Sequence, residues 1–89
     1  MATTDRNDSI RKEVLFQHYA LKSVPLGAAQ IERECRKNAM DFTRAEIAEA
    51  QQFLCDDGLI VEAKPPGTTA RLYRINSNGV RHYEQTYAA

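Results

Sequence analysis

The side chains able to do chemistry in this sequence are few. His18, His82, Cys35 and Cys55 are the only histidines and cysteines in 89 residues. None of them falls into an H-x-x-x-H or C-x-x-C arrangement, so no zinc site is expected. The chain also lacks G-x-S-x-G, G-x-x-x-x-G-K-[ST] and G-x-G-x-x-G, the loops of a hydrolase elbow, a phosphate cradle and a dinucleotide site. Asp56 and Asp57 are adjacent carboxylates, but helix neighbours do not face one another, and the pair reads as a solvated helix end. Cys35 beside Arg36 would sense redox state only if exposed near that cation. The alternative is two reduced, buried thiols, because a disulfide framework needs more cysteines and a secreted context. His18 reads as a helix-margin residue and His82 as facing water. No catalytic residue, metal or cofactor is expected, and the chain reads as a binding module, not an enzyme.

What remains is charge, and it is balanced overall. Twelve basic and twelve acidic residues give a formal net charge of zero. A nucleic-acid partner must therefore be argued from local clusters. Hydrophobic residues make up 43% and charged residues 27%, ordinary for one globular domain and unlike a disordered chain. No apolar run is long enough for a membrane span. The amino terminus, MATTDRNDS, lacks the apolar stretch of a secretory signal. These features predict a soluble, cytoplasmic protein with no membrane partner.

The elements that must position any site follow from caps and periodicity. Residues 1–7 read as a flexible leader, and Asp8 or Ser9 can cap a first helix running to about Ser23, before Pro25. A second helix covers roughly Ala28 to Ala39. Thr43-Arg44-Ala45-Glu46 fits a capping box and starts a third helix, which Gly58 closes after Asp57. Leu59–Lys64 and Arg71–Ile75 have strand character and form a hairpin around a proline-rich tip at residues 65–70. Ser77 can cap a short last helix carrying Val80, Tyr83 and Tyr87 on one face. The fold class is α+β and mostly helical: a three-helix core, a two-stranded β-hairpin and a short C-terminal helix.

This order resembles a winged helix-turn-helix domain over residues 8–84 or so, within a domain of residues 8–89. Phe53-Leu54-Cys55-Asp56-Asp57-Gly58-Leu59-Ile60 is similar to that superfamily's L-x-x-x-G-L-I passage into the wing. Leu72-Tyr73-Arg74-Ile75-Asn76-Ser77-Asn78-Gly79 is similar to its Y-R-[LI]-T-x-x-G passage out of it, with Asn76 standing for Thr. The resemblance implies that the third helix is a recognition helix in the DNA major groove, with Thr43, Arg44, Ala45, Ala48, Glu49 and Gln52 facing the bases. It implies that the preceding helix crosses the phosphates with Arg33, Arg36 and Lys37, and that Lys64, Arg71 and Arg74 anchor the wing. The expected function is a small DNA-binding transcriptional regulator of prokaryotic or phage type.

Each of these assignments has a plainer alternative. Glu32 and Glu34 can interleave with the second helix's cations on a solvated surface, and charged residues on a hairpin can simply blunt its edges. Across Thr43–Asp57 one base, Arg44, stands against Glu46, Glu49, Asp56 and Asp57. That balance opposes ordinary DNA readout and keeps open a winged-helix module that binds another protein. On the third helix Ile47, Ala50 and Leu54 form the inward stripe, flanked by Gln51 and Phe53. On the first, Ile10, Val14 and Leu21 make one apolar stripe with Gln17 and His18 at its margins. Leu15, Phe16 and Tyr19 make a second patch, which the last helix can cover through Val80, Tyr83 and Tyr87, either within one chain or across a homodimer.

Overall fold

A computed structural model describes residues 2–64, 67 and 71–87, with side chains from Asp5 onward. The elements in chain order are α1 (Ala2–Ala20), α2 (Ala28–Lys37), α3 (Arg44–Asp56), β1 (Ile60–Ala63), β2 (Leu72–Ile75) and α4 (Ser77–Thr86). The protein is α+β and mostly helical, with one two-stranded antiparallel sheet. The expected hairpin tip lies outside the described residues apart from Gly67.

The first helix starts earlier than its capping residues suggest. Asp8 and Ser9 lie inside α1, and residues 2–7 are helical where a leader was expected. Long-range contacts explain the difference. Arg6 bonds Glu46 of α3 through Nε at 2.7 Å and Nη2 at 2.9 Å, and its guanidinium lies over the Phe42 ring. At its other end α1 stops at Ala20, and Leu21 and Val24 are exposed beyond it. Leu21 is therefore not part of the buried stripe.

α2 opens at Gly27, whose N–H donates to Gln30 Oε1 at 2.6 Å. It closes after Lys37, two residues before Ala39, with Asn38 as its C-cap. Ala39 itself adopts φ 60°, a left-handed conformation that usually belongs to glycine. Ala39 N–H bonds the Arg36 carbonyl and Met40 N–H the Cys35 carbonyl, which closes the helix end.

α3 begins as its sequence predicts. Thr43 Oγ1 accepts from Glu46 N–H at 3.1 Å, and Glu46 Oε1 accepts from Thr43 N–H at 3.0 Å. Gly58 ends it at φ 78°. The hairpin pairs Ile60 with Ile75 and Ala63 with Leu72. One further bridge joins it to the α1–α2 connection: Leu26 N–H donates to the Tyr73 carbonyl at 2.8 Å, and Tyr73 N–H to Leu26 at 3.0 Å. α4 is capped by Asn76, one residue before the expected Ser77. The Asn76 side-chain oxygen accepts from Gly79 N–H at 2.8 Å, and its amide donates to the Gly58 carbonyl at 2.8 Å.

The core lies where α1, α2 and α3 meet the inner face of the hairpin. Ile10, Val14, Leu15, Ile31, Cys35, Ile47, Leu54 and Ile60 are each all but removed from solvent. Each such aliphatic side chain contributes about 2 kcal/mol by leaving water. Two polar residues assigned to the margins are also inside. His18 and Gln51 are fully buried, with His18 Nε2 3.2 Å from Gln51 Nε2, which also donates to the Leu26 carbonyl at 3.1 Å. An amide nitrogen only donates, so His18 Nε2 accepts and its proton sits on Nδ1. That Nδ1 has no hydrogen-bond partner among the described residues. Burial lowers the His18 pKa to about 4.

Candidate functional site

α3 turns Ile47, Ala50, Gln51 and Leu54 inward, which leaves Thr43, Arg44, Ala45, Ala48, Glu49 and Gln52 exposed on its outer side. All six residues assigned to a recognition surface therefore share the solvent side of one helix start and its first turns. Phe53, placed at the margin of the inward stripe, is 39% exposed and carries the Arg11 guanidinium 3.6 Å above its ring.

Two of the four acids that set the charge of α3 are engaged. Glu46 is held by Arg6 and by its own capping bonds, and the Arg6 hydrogen bonds are the main reason its carboxyl is pulled down to about 2. Asp56 accepts from Gln52 Nε2 at 2.9 Å. Glu49 is exposed with no ion pair among the described residues.

Among the described residues, the hairpin bonds this surface through Arg71. Arg71 Nη1 donates to Gln52 Oε1 at 3.2 Å, so the residue before β2 touches the outer face of α3. Lys64 and Arg74 are exposed, and no ion pair among the described residues engages them. Tyr73 and Ile75 point into the core, and Arg74 between them points out.

On α2 the expected alternation of solvated charges holds only in part. Lys37 pairs with Glu34 at 3.1 Å, both exposed, and Arg33 is exposed. Glu32 departs from it. Its side chain is 9% exposed, and it accepts from Arg36 at 3.3 Å and from Arg44 at 3.1 Å. Arg44 thus bridges back to α2. Nothing in the local sequence distinguishes Glu32 from Glu34; the difference comes from where α2 rests against the start of α3.

The second apolar patch of α1 is covered by α4 within the chain. Leu15 is buried, Tyr19 stacks on Tyr83 with centroids 4.4 Å apart, and Val80 packs against the core. Tyr19 OH donates to Glu84 at 2.9 Å, and that bond raises the phenol's pKa. Phe16 lies 6.0 Å and Tyr87 5.3 Å from the Tyr83 ring, and the two remain 44% and 40% exposed.

The two cysteines and His82 sit in different environments. Cys35 is fully buried, and desolvation pushes its thiol pKa up, which opposes the redox-sensor reading. Cys55 is a half-buried free thiol. His82 is exposed, as expected, and its ring meets that of Tyr87 at 80°, with centroids 6.4 Å apart. Among the described residues no group of three or more His, Cys, Asp or Glu could hold a metal ion. No described helix is long and apolar enough to cross a membrane. No family model, curated protein or solved structure matches the chain.

Proposed function

We propose that this chain is a small winged-helix DNA-binding protein, a cytoplasmic transcriptional regulator of prokaryotic or phage type that performs no catalysis. The observation that carries the reading is the exposure of α3's outer residues and of the α2 cations, with Arg71 of the hairpin bonded to Gln52 on that outer face. In this reading α3 enters the major groove. Ala45 and Ala48 let its backbone come close, Gln52 and Glu49 address base edges, and Thr43 and Arg44 sit at the groove wall. Arg33, Arg36 and Lys37 take phosphates on one side, and Lys64, Arg71 and Arg74 take them on the other. The acids of α3 weigh less than their number suggests, because Arg6 already matches Glu46.

Fluorescence polarisation with labelled mixed-sequence duplexes tests this at two salt concentrations. Binding at low salt should weaken by about a thousand-fold between 50 and 200 mM salt if some six phosphates are contacted. Replacing Arg33, Arg36 and Lys37 together by alanine should weaken all sequences alike and flatten the salt dependence. Failure to bind any duplex at low salt would sink the reading.

A second reading is favoured by the partly exposed Phe16 and Tyr87 around Tyr83. In it the domain is a protein-interaction module, and the α1–α4 aromatic patch meets a protein partner or a second copy in a homodimer. Sedimentation at micromolar concentration separates these: a strict monomer rejects the homodimer.

A further inference from the structure

We propose that Glu32, Arg36 and Arg44 form one phosphate-binding fork at the α2–α3 junction, in which the buried carboxylate holds both guanidiniums ready for a single backbone phosphate of duplex DNA. The inference rests on the DNA-binding reading and deepens it by naming a positioning residue.

The carboxylate lies inside and the cations outside. The Glu32 side chain is 9% exposed, and those of Arg36 and Arg44 are 72% and 65% exposed. Arg44 approaches Oε1 through Nε and Nη2, both at 3.1 Å, and Arg36 approaches Oε2 through Nη2 at 3.3 Å. A guanidinium carries five N–H donors, so these bonds leave several on each arginine turned toward solvent. Two cations around one anion retain a single net positive charge, which suits a phosphodiester monoanion.

Burying a carboxylate is costly, and an apolar side chain of similar volume would usually fill such a position more favourably. A carboxylate serving only Arg36, one helical turn along α2, could do so from the surface, as Glu34 does for Lys37. Glu32 instead divides its two oxygens between two helices. Free arginines lose considerable side-chain freedom when they grip a phosphate, and anchoring them beforehand removes part of that loss. The planar guanidinium also grips phosphate by paired hydrogen bonds, which an ammonium does not reproduce.

The test exploits a conflict of sign. Glu32→Gln removes a negative charge next to the DNA, and by charge alone it must tighten binding. The fork predicts the reverse: a loss of about ten-fold, the weight of one charge-assisted hydrogen bond. Polarisation with a fluorescein-labelled mixed-sequence duplex at low salt reads this, with circular dichroism checking that each variant is folded. Arg44→Lys keeps the charge on an exposed side chain and should also weaken binding. In an Arg36→Ala, Arg44→Ala background, Glu32→Gln should no longer weaken binding, since no guanidinium remains to be held. E32Q binding as tightly as the parent or tighter, while folded, overturns the fork. So does an unchanged affinity in R44K, which decides the matter if E32Q does not fold. A parent protein that binds no duplex overturns the DNA reading and the fork together; a parent that binds, with E32Q binding more tightly, overturns the fork alone.

Discussion

Two junctions flank α3, and they are built in opposite ways. At its far end, where α3 passes into the hairpin and α4 begins, each special position carries a residue suited to it. Gly58 takes the positive φ, and Asn76 caps α4 while binding the Gly58 carbonyl. Gly79 lies where a side-chain carbon would collide with the Leu59 carbonyl and with Ile75. At its near end, the α2–α3 turn, the left-handed position is filled by Ala39, and the backbone bonds that close α2 are joined by bonds from charged side chains: Arg6, Glu32, Arg44 and Glu46. The first junction is specified by backbone shape. The second is held by ion pairs reaching across the fold, and it lies beside the surface proposed for DNA.

The contrast can be broken most forcefully at Gly79. Gly79→Ala must displace a backbone carbonyl, and a loss of about 3 kcal/mol is expected, the upper end for overpacking. Chemical denaturation measures it; a loss below about 1 kcal/mol would mean that the α4 start yields easily.

Acid should strike elsewhere, because Gly58, Leu59, Asn76 and Gly79 carry no titratable side chain. The His18 pKa is lowered on folding, so its contribution is complete above the ordinary value near 6.5 and is lost as pH falls from there toward 4. The expected loss is about 3 kcal/mol across that window. The Glu46 pKa is also lowered, so its pairing with Arg6 is present above about 4.5 and fades only as pH falls toward 2. A pH series of denaturation midpoints should therefore decline first between 6.5 and 4. His18→Gln should remove that first decline, and persistence of the decline would acquit His18.

The smallest effects sharpen the comparison of the two helix ends directly. Gly58→Ala forces a Cβ into the left-handed region with space around it, at a cost of about 1 kcal/mol. Ala39→Gly relieves the same strain and should stabilise by a little under about 1 kcal/mol, since glycine also loosens the unfolded chain. Thermal melts of the two variants should move in opposite directions. Movement in the same direction would mean that the two ends are not equivalent closures.

What could be read in the residues follows the same division. The Thr43–Glu46 box, the Gly58 stop, the hairpin and the Val80–Tyr83–Tyr87 face were legible because each is a local signal: a cap, a glycine or a period. The long-range features were not. Arg6 holds the start of α1 through a residue of α3, and Leu26 pairs with a strand far along the chain. Gln51 draws His18 inward, and Glu32 differs from Glu34 only in what α2 rests against. Of the proposed site, Ala45, Glu49 and Gln52 followed from helical periodicity, while Thr43, Arg44 and Ala48 came with the resemblance to winged helices. The tie between Gln52 and Arg71 required the hairpin to be folded against the helix.

The bridge between Leu26 and Tyr73 bears on how the hairpin moves. Both backbone bonds of Tyr73 in that direction are taken by a residue leading into α2. Lifting the hairpin would expose the Leu26 amide and loosen the segment that launches α2, so the two should open as one cooperative unit, with the Leu26 and Tyr73 amide protons exchanging together. The hairpin is thus a stiff lever coupled to α2, and a pull on it is felt at the start of the helix that carries Glu32.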